Sequence, residues 1–155
     1  MGQQLEKILD HTLDGIGKYR YRDLAQTTLG LAKIVKMIDH QGRRPQNEIL
    51  RDCFIGARSE RKQFIFDALA NASMHVLSKF DPRHLSNLIY AFGLVEHEIR
   101  YEDGGTLFDV LAVEAIPNLR MFKPQELSNV IWAYANVDTA NSDFFFGSWR
   151  RHCCS

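Results

Sequence analysis

The chain contains no apolar run of the roughly eighteen residues that a membrane-spanning helix needs, so no such span is expected in it. Surplus charge is missing as well, with Lys plus Arg and Asp plus Glu both at 19. Without a net field the protein as a whole is not drawn to nucleic acid or to an anionic membrane, and binding of either must rest on a local patch. Cysteine is scarce. The three present, Cys53, Cys153 and Cys154, are odd in number and lack the paired spacing of a zinc site, which fits buried or idle thiols in a reducing compartment. The opening residues, Met1 to Glu6, read neither as a secretory signal nor as an Arg- and Ser-rich leader. Gly2 is not set for myristoylation, because Glu6 stands where Ser or Thr is required.

Catalytic signatures are absent in the same way. His97-Glu98-Ile99-Arg100-Tyr101 places a tyrosine where the zinc-protease motif needs its second histidine. None of the six histidines, His11, His40, His75, His84, His97 and His152, lies one helical turn from another, so no helical metal pair is expected. Gly15-Ile16-Gly17 lacks the third glycine and the preceding strand of a dinucleotide-binding turn. Asn71-Ala72-Ser73 spells a glycosylation sequon, but within a helical pattern and with no secretory signal. The reading is of a protein that is not an enzyme, with no metal, no cofactor and no small-molecule substrate.

What the chain does have is self-similarity. Phe80-Asp-Pro-Arg-His-Leu-Ser-Asn-Leu-Ile-Tyr-Ala-Phe-Gly-Leu-Val95 returns as Phe122-Lys-Pro-Gln-Glu-Leu-Ser-Asn-Val-Ile-Trp-Ala-Tyr-Ala-Asn-Val137, identical at eight of sixteen positions. A weaker copy precedes both, where Tyr19, Leu24, Ala25, Gln26 and Ile34 match and Tyr21 replaces the proline. Each copy is preceded by a second block, opening at Leu5, Phe66 or Phe108, and the interval from there to Tyr19, Phe80 or Phe122 is the same in all three. The repeating unit is therefore a pair of elements, A then B.

Both elements have helical periodicity. In A, Phe66, Leu69, Ala70, Ser73 and Leu77 keep the spacing of one helix face, as do Phe108, Leu111, Ala112, Ala115 and Leu119. Pro82 and Pro124 stand at the first position of B, where the missing N–H is not needed, and Asp81 is a good N-cap while Lys123 is a poor one. Pro117 is expected to stop or kink the third A helix at Ile116. Repeat 1 then spans about 4–38, repeat 2 about 64–101 and repeat 3 about 106–141, in a single domain over 1–155. Phe146-Gly-Ser-Trp149 echoes Phe108-Asp-Val-Leu111 and begins a partial repeat over 142–155. The interval between copies shortens along the chain, from Leu24–Leu85 to Leu85–Leu127 and then to Phe108–Phe146. The last of these is the bare unit, so the two longer intervals each hold an insertion. The larger, about 39–63, carries helical spacing at Ile49, Leu50, Cys53 and Phe54 and is expected to hold one extra helix; the smaller, 96–105, is acidic and ends in a turn signal.

A helical pair whose second helix reads Phe-x-Pro-x-x-Leu-Ser-Asn-(Val/Leu)-Ile-(Trp/Tyr)-Ala-(Tyr/Phe) resembles the octotricopeptide repeat and the related repeats of FAST-kinase-like and RAP-domain organellar proteins. That resemblance covers nearly the whole chain. It implies a right-handed α-solenoid of antiparallel helix pairs that binds single-stranded RNA in mitochondria or chloroplasts and acts in transcript stability, processing or translation.

In such a fold the A helices present side chains that read unstacked bases while Lys and Arg hold phosphates. The polar positions opposite the apolar A face, together with Arg83 at the start of B, make Asn71, His75, Lys79, Arg83, Asn118, Arg120 and Lys18 the candidate RNA contacts. In B, Leu85, Ser86, Asn87 and Tyr90, with Leu127, Ser128, Asn129 and Trp132, read as structural core of the repeat, the Ser-Asn pairs bonding backbone at the interface between repeats. Trp132 and Tyr90 have the rings of base-stacking platforms, but on a helix apolar nearly all round they are expected to be core. The alternative to RNA is a non-catalytic scaffold or structural subunit that holds protein partners in a larger complex, favoured by net neutrality and the acidic 96–103 segment.

Overall fold

Each expected A–B pair forms two α-helices joined by one recurring link. The computed structural model describes residues 2–40, 59–137, 146–147 and 150. Six α-helices lie among them: α1 (Gly2–Gly15), α2 (Tyr21–His40), α3 (Ser59–Met74), α4 (Pro82–Leu94), α5 (Leu107–Ala115) and α6 (Pro124–Asn136). The described residues are otherwise turns and loops, with one isolated bridge between Arg100 and Thr106 and no named strand. None of these helices is long and apolar enough to cross a membrane. The helix expected within 39–63 lies largely outside the described residues, as does most of the partial repeat over 142–155; Asp39 and His40 close α2, and 59–63 open α3.

The A helices α1, α3 and α5 all run into a 3₁₀ turn, at Ile16–Lys18, Leu77–Lys79 and Ile116–Met121. An extended residue comes next, Tyr19, Phe80 or Phe122, with φ of −71°, −70° and −77° and ψ of 135°, 129° and 135°. Its N–H donates to the carbonyl of Ile16, Leu77 or Leu119, three positions back in every copy. Matching dihedrals at three sites of differing sequence make this link the structural signature of the repeat. In the third copy Pro117 is one cause of the change of helix type, because it has no N–H to donate to the α ladder.

The B helices start on acids placed in two ways. Asp81 is the N-cap of α4 and accepts from the His84 N–H at 2.9 Å. In α2 and α6 the cap residue is a base, and the acid sits one turn on: the Arg20 N–H donates to Asp23 and the Lys123 N–H to Glu126, at 3.0 and 2.8 Å. Either arrangement satisfies a backbone donor that the first helical turn leaves free. α5 has the reciprocal form, Thr106 and Asp109 bonding each other's backbone N–H.

Within repeats 2 and 3 the A and B helices meet through equivalent aromatic pairs. Phe66 meets Phe92 edge-on with centroids 6.4 Å apart, and Phe108 meets Tyr134 likewise at 5.3 Å. Tyr134 replaces Phe92 with a hydroxyl, which donates to the Phe108 carbonyl at 2.7 Å. Between repeats, α2 packs on α4 and α4 on α6, the most extensive helix contacts among the described residues, and α2 also touches α3. One hydrophobic core runs through all three copies, from Leu24 and Val35 through Leu88 and Phe92 to Val130 and Tyr134.

Candidate functional site

The 3₁₀ turns place one exposed base at the end of each A element. Lys18 and Lys79 are equivalent, and Arg120 occupies the same turn in repeat 3. All three are exposed; Arg83 is exposed as well, but as the second residue of α4 it lies at the start of the next element, two residues after Asp81. Three of the candidate contacts thus recur as one cation per repeat at a common structural position.

Two clefts lie between repeats 2 and 3. The first, about 350 Å³, runs from the link at Ser78, Lys79 and Asp81 to Glu114, Asn118 and Met121 of the next repeat. Asn118 lines it, but its side-chain amide already donates to the Glu114 carbonyl at 3.1 Å. The second is an open groove of about 590 Å³ lined by Asn71, Met74, His75, Tyr101, Asp103 and Val110. Here the exposed amide of Asn71 and imidazole of His75 share a wall with the Tyr101 ring.

The 96–106 segment that builds this second groove is ordered by its own chemistry. Glu96 takes a left-handed conformation, φ 51°, that closes α4, and Gly104, φ 84°, closes the turn in which the Tyr101 N–H reaches the Gly105 carbonyl at 2.8 Å. His97 is buried between Phe66 and Phe92, its Nε2 3.0 Å from Asp67 Oδ1. The Tyr101 hydroxyl is buried without a hydrogen-bond partner among the described residues. Burial, and secondarily the Asp103 carboxylate, push this phenol above its ordinary range.

Neighbouring links are also stacked on each other. Tyr21, at the position of the missing proline, lies 5.6 Å from both Phe80 and His84. Arg22 donates to the Tyr21 hydroxyl at 2.9 Å and sits over its ring. Burial alone would raise the Asp81 carboxyl, but the His84 N–H and imidazole, with Arg22 nearby, outweigh it and hold Asp81 below the usual carboxylate range.

The residues assigned to the repeat core divide in two. Leu85 and Ser86 are buried, and the Ser86 hydroxyl donates to the Glu126 carbonyl of the next repeat at 3.1 Å, as the interface reading requires. Asn87, Tyr90, Leu127 and Asn129 are half-buried, Asn129 accepting from Gln125. Two expectations are corrected: Ser128 is exposed, and Trp132 is 39% exposed instead of core. The reason is position. Tyr90 packs at 5.2 Å against Trp132 of the following repeat, whereas α6 has no such helix after it among the described residues.

Sequence reasoning missed Tyr101, Asp103 and the buried His97. The turn signal at Gly104-Gly105 located that segment, yet nothing in its charges showed that it folds back onto α3. Among the described residues no group of His, Cys, Asp or Glu could hold a metal ion. Comparison with family models, with curated proteins and with solved structures finds no match for the chain.

Proposed function

We propose that the protein is a right-handed α-solenoid of antiparallel helix pairs that binds single-stranded RNA along its A-helix edge. The repeat count is that of the sequence: three units and a partial fourth. The observation that carries the reading is the recurrence of Lys18, Lys79 and Arg120, one exposed base in each 3₁₀ turn. Packed helices lie about 8–10 Å apart, so a base at each repeat can follow a phosphate backbone. Asn71, His75 and Tyr101 add an amide, an imidazole and a ring in one groove, the side-chain types that hydrogen-bond and stack an unpaired base. The resemblance of the Leu-Ser-Asn repeat supports a role in transcript stability, processing or translation in a mitochondrion or chloroplast, without catalysis of its own.

The test is anisotropy of a labelled single-stranded RNA titrated across a salt series. Replacing Lys18, Lys79 and Arg120 together by Ala should weaken binding and flatten the salt slope by about 2, because each phosphate contact contributes about 0.7 for single strands. Asn71→Ala with His75→Ala should weaken binding at unchanged slope. No binding at low salt, or an unaltered slope in the triple variant, would refute the proposal. The scaffold reading is favoured by net neutrality, by the acidic 96–103 segment and by the exposed Ser128, Trp132 and Ala135 on one face of α6.

A further inference from the structure

Among the described residues no further B helix lies on the outer face of α6, and the repeat shows what belongs there, because α4 presents the same face to α6. Ser86, Ile89 and Gly93 of α4 are fully buried there. Gly93 allows the close approach: a Cβ on it would lie 2.7 Å from the Ala133 Cβ. The equivalent residues of α6 are Ser128, Ile131 and Ala135, of which Ser128 and Ala135 are exposed and Ile131 half-buried, with Trp132 39% exposed beside them.

At the other end of the array, α2 leaves the complementary face open among the described residues. The residues by which α6 meets α4 include Val130 and Ala133, fully buried, and α4 buries their equivalents Leu88 and Ala91. In α2 these positions are Thr27, half-buried, and Gly30, exposed with nothing within 4 Å of the place a Cβ would take. Leu29, equivalent to Tyr90 and Trp132, is half-buried at the edge of that face.

We propose that this protein associates head to tail with a second copy of itself, the α6 face of one chain receiving the α2 face of the next. The small residues decide for a second copy. Within the chain the tight seam pairs a glycine with an alanine, Gly93 with Ala133; across the new seam Ala135 would meet Gly30, the same pair with roles exchanged. The Ser128 hydroxyl finds the first-turn carbonyl of Asp23, equivalent to the Glu126 carbonyl that Ser86 uses. Trp132 covers Leu29 as Tyr90 covers Trp132. Both seams within the chain continue across the junction, so the contact is heterologous and builds chains of molecules unless the rotation closes a ring. One helix-on-helix seam is a small interface, and the association belongs to the weak class that appears at high protein concentration.

Sedimentation of the whole protein over a concentration series tests this proposal, which does not depend on RNA binding. The wild type should gain mass with concentration. Ala135→Glu blocks the α6 face and Gly30→Glu blocks the α2 face, both at exposed helical positions where the fold tolerates a long side chain, checked by unchanged circular dichroism. Each variant alone should lose self-association, and an equimolar mixture should form a one-to-one dimer, since one intact face remains on each. A wild type that stays monomeric throughout overturns the proposal. So does Gly30→Glu that still dimerises alone, which would mean α6 pairing with α6, and so does a mixture that stays monomeric.

Discussion

At the scale of single residues, the repeat is held by side chains whose role depends on which copy they occupy. Tyr134 and Phe92 are equivalent and both fully buried, yet only Tyr134 carries a hydroxyl to place, and it donates to the Phe108 carbonyl. Burial, then the Asp109 carboxylate, pushes the Tyr134 phenol well above its ordinary range. A phenol raised in the folded state contributes stability that is intact below the unfolded value of about 10 and is lost as pH rises through the folded value. Tyr134→Phe should therefore cost about 1 kcal/mol at neutral pH, the net worth of one hydrogen bond. The deficit should shrink at about pH 11, where the unfolded wild-type phenol ionises while the buried one keeps its proton. Urea midpoints of both proteins at the two pH values check this, and a deficit that does not change with pH would show that Tyr134 is not the titrating group.

At the scale of helices, close approach governs the B layer. Glycine in a helix interior ordinarily costs about 0.5–1 kcal/mol relative to alanine, so Gly→Ala in α2 and α4 should stabilise unless space forbids it. Gly30 has open space and Gly93 has Ala133 at 2.7 Å, most of it main chain and Cβ that cannot swing away. Gly30→Ala should raise stability by that about 0.5–1 kcal/mol, and Gly93→Ala should lower it by about 1–3 kcal/mol through forced separation of α4 from α6. Thermal unfolding of the two variants decides, and equal shifts of the same sign would mean that the α4–α6 seam is looser than the geometry says. The sequence made much of this legible. Helical spacing, Pro82, Pro124 and the Asp81 cap located the B helices, and the alignment of Phe66 with Phe108 located the A–B contact. Burial at each end of the array was not legible, because Trp132 and Tyr90 share a periodicity but differ in whether another B helix stacks beyond them among the described residues. The acids Asp23 and Glu126 also escaped notice, since a carboxylate in the first turn of a helix reads as surface charge until its backbone N–H partner is seen. The same holds for His97, whose burial depends on a turn fixed by Glu96 and Gly104.

For the whole molecule, the position of α4 sets how the repeats depend on one another. Stacked repeats are stabilised by their own folding and by the seams with their neighbours, and α4 takes part in both B-layer seams, with α2 on one side and α6 on the other. Ile89 lies fully buried in its centre. Ile89→Ala removes core volume that the surrounding helices cannot fill and should cost about 2–5 kcal/mol. Because the lost contacts border repeats on both sides, the damage should not stay in repeat 2. Indole fluorescence, to which Trp132 of α6 contributes, follows the third repeat, while far-ultraviolet circular dichroism follows all the helices. Both signals should move to lower urea together in the variant, with one common midpoint, as a cooperative unit requires. A variant in which fluorescence keeps the wild-type midpoint while circular dichroism shifts would mean that α6 and its repeat fold without α4, and the continuous core from Leu24 to Tyr134 would then be two cores in contact.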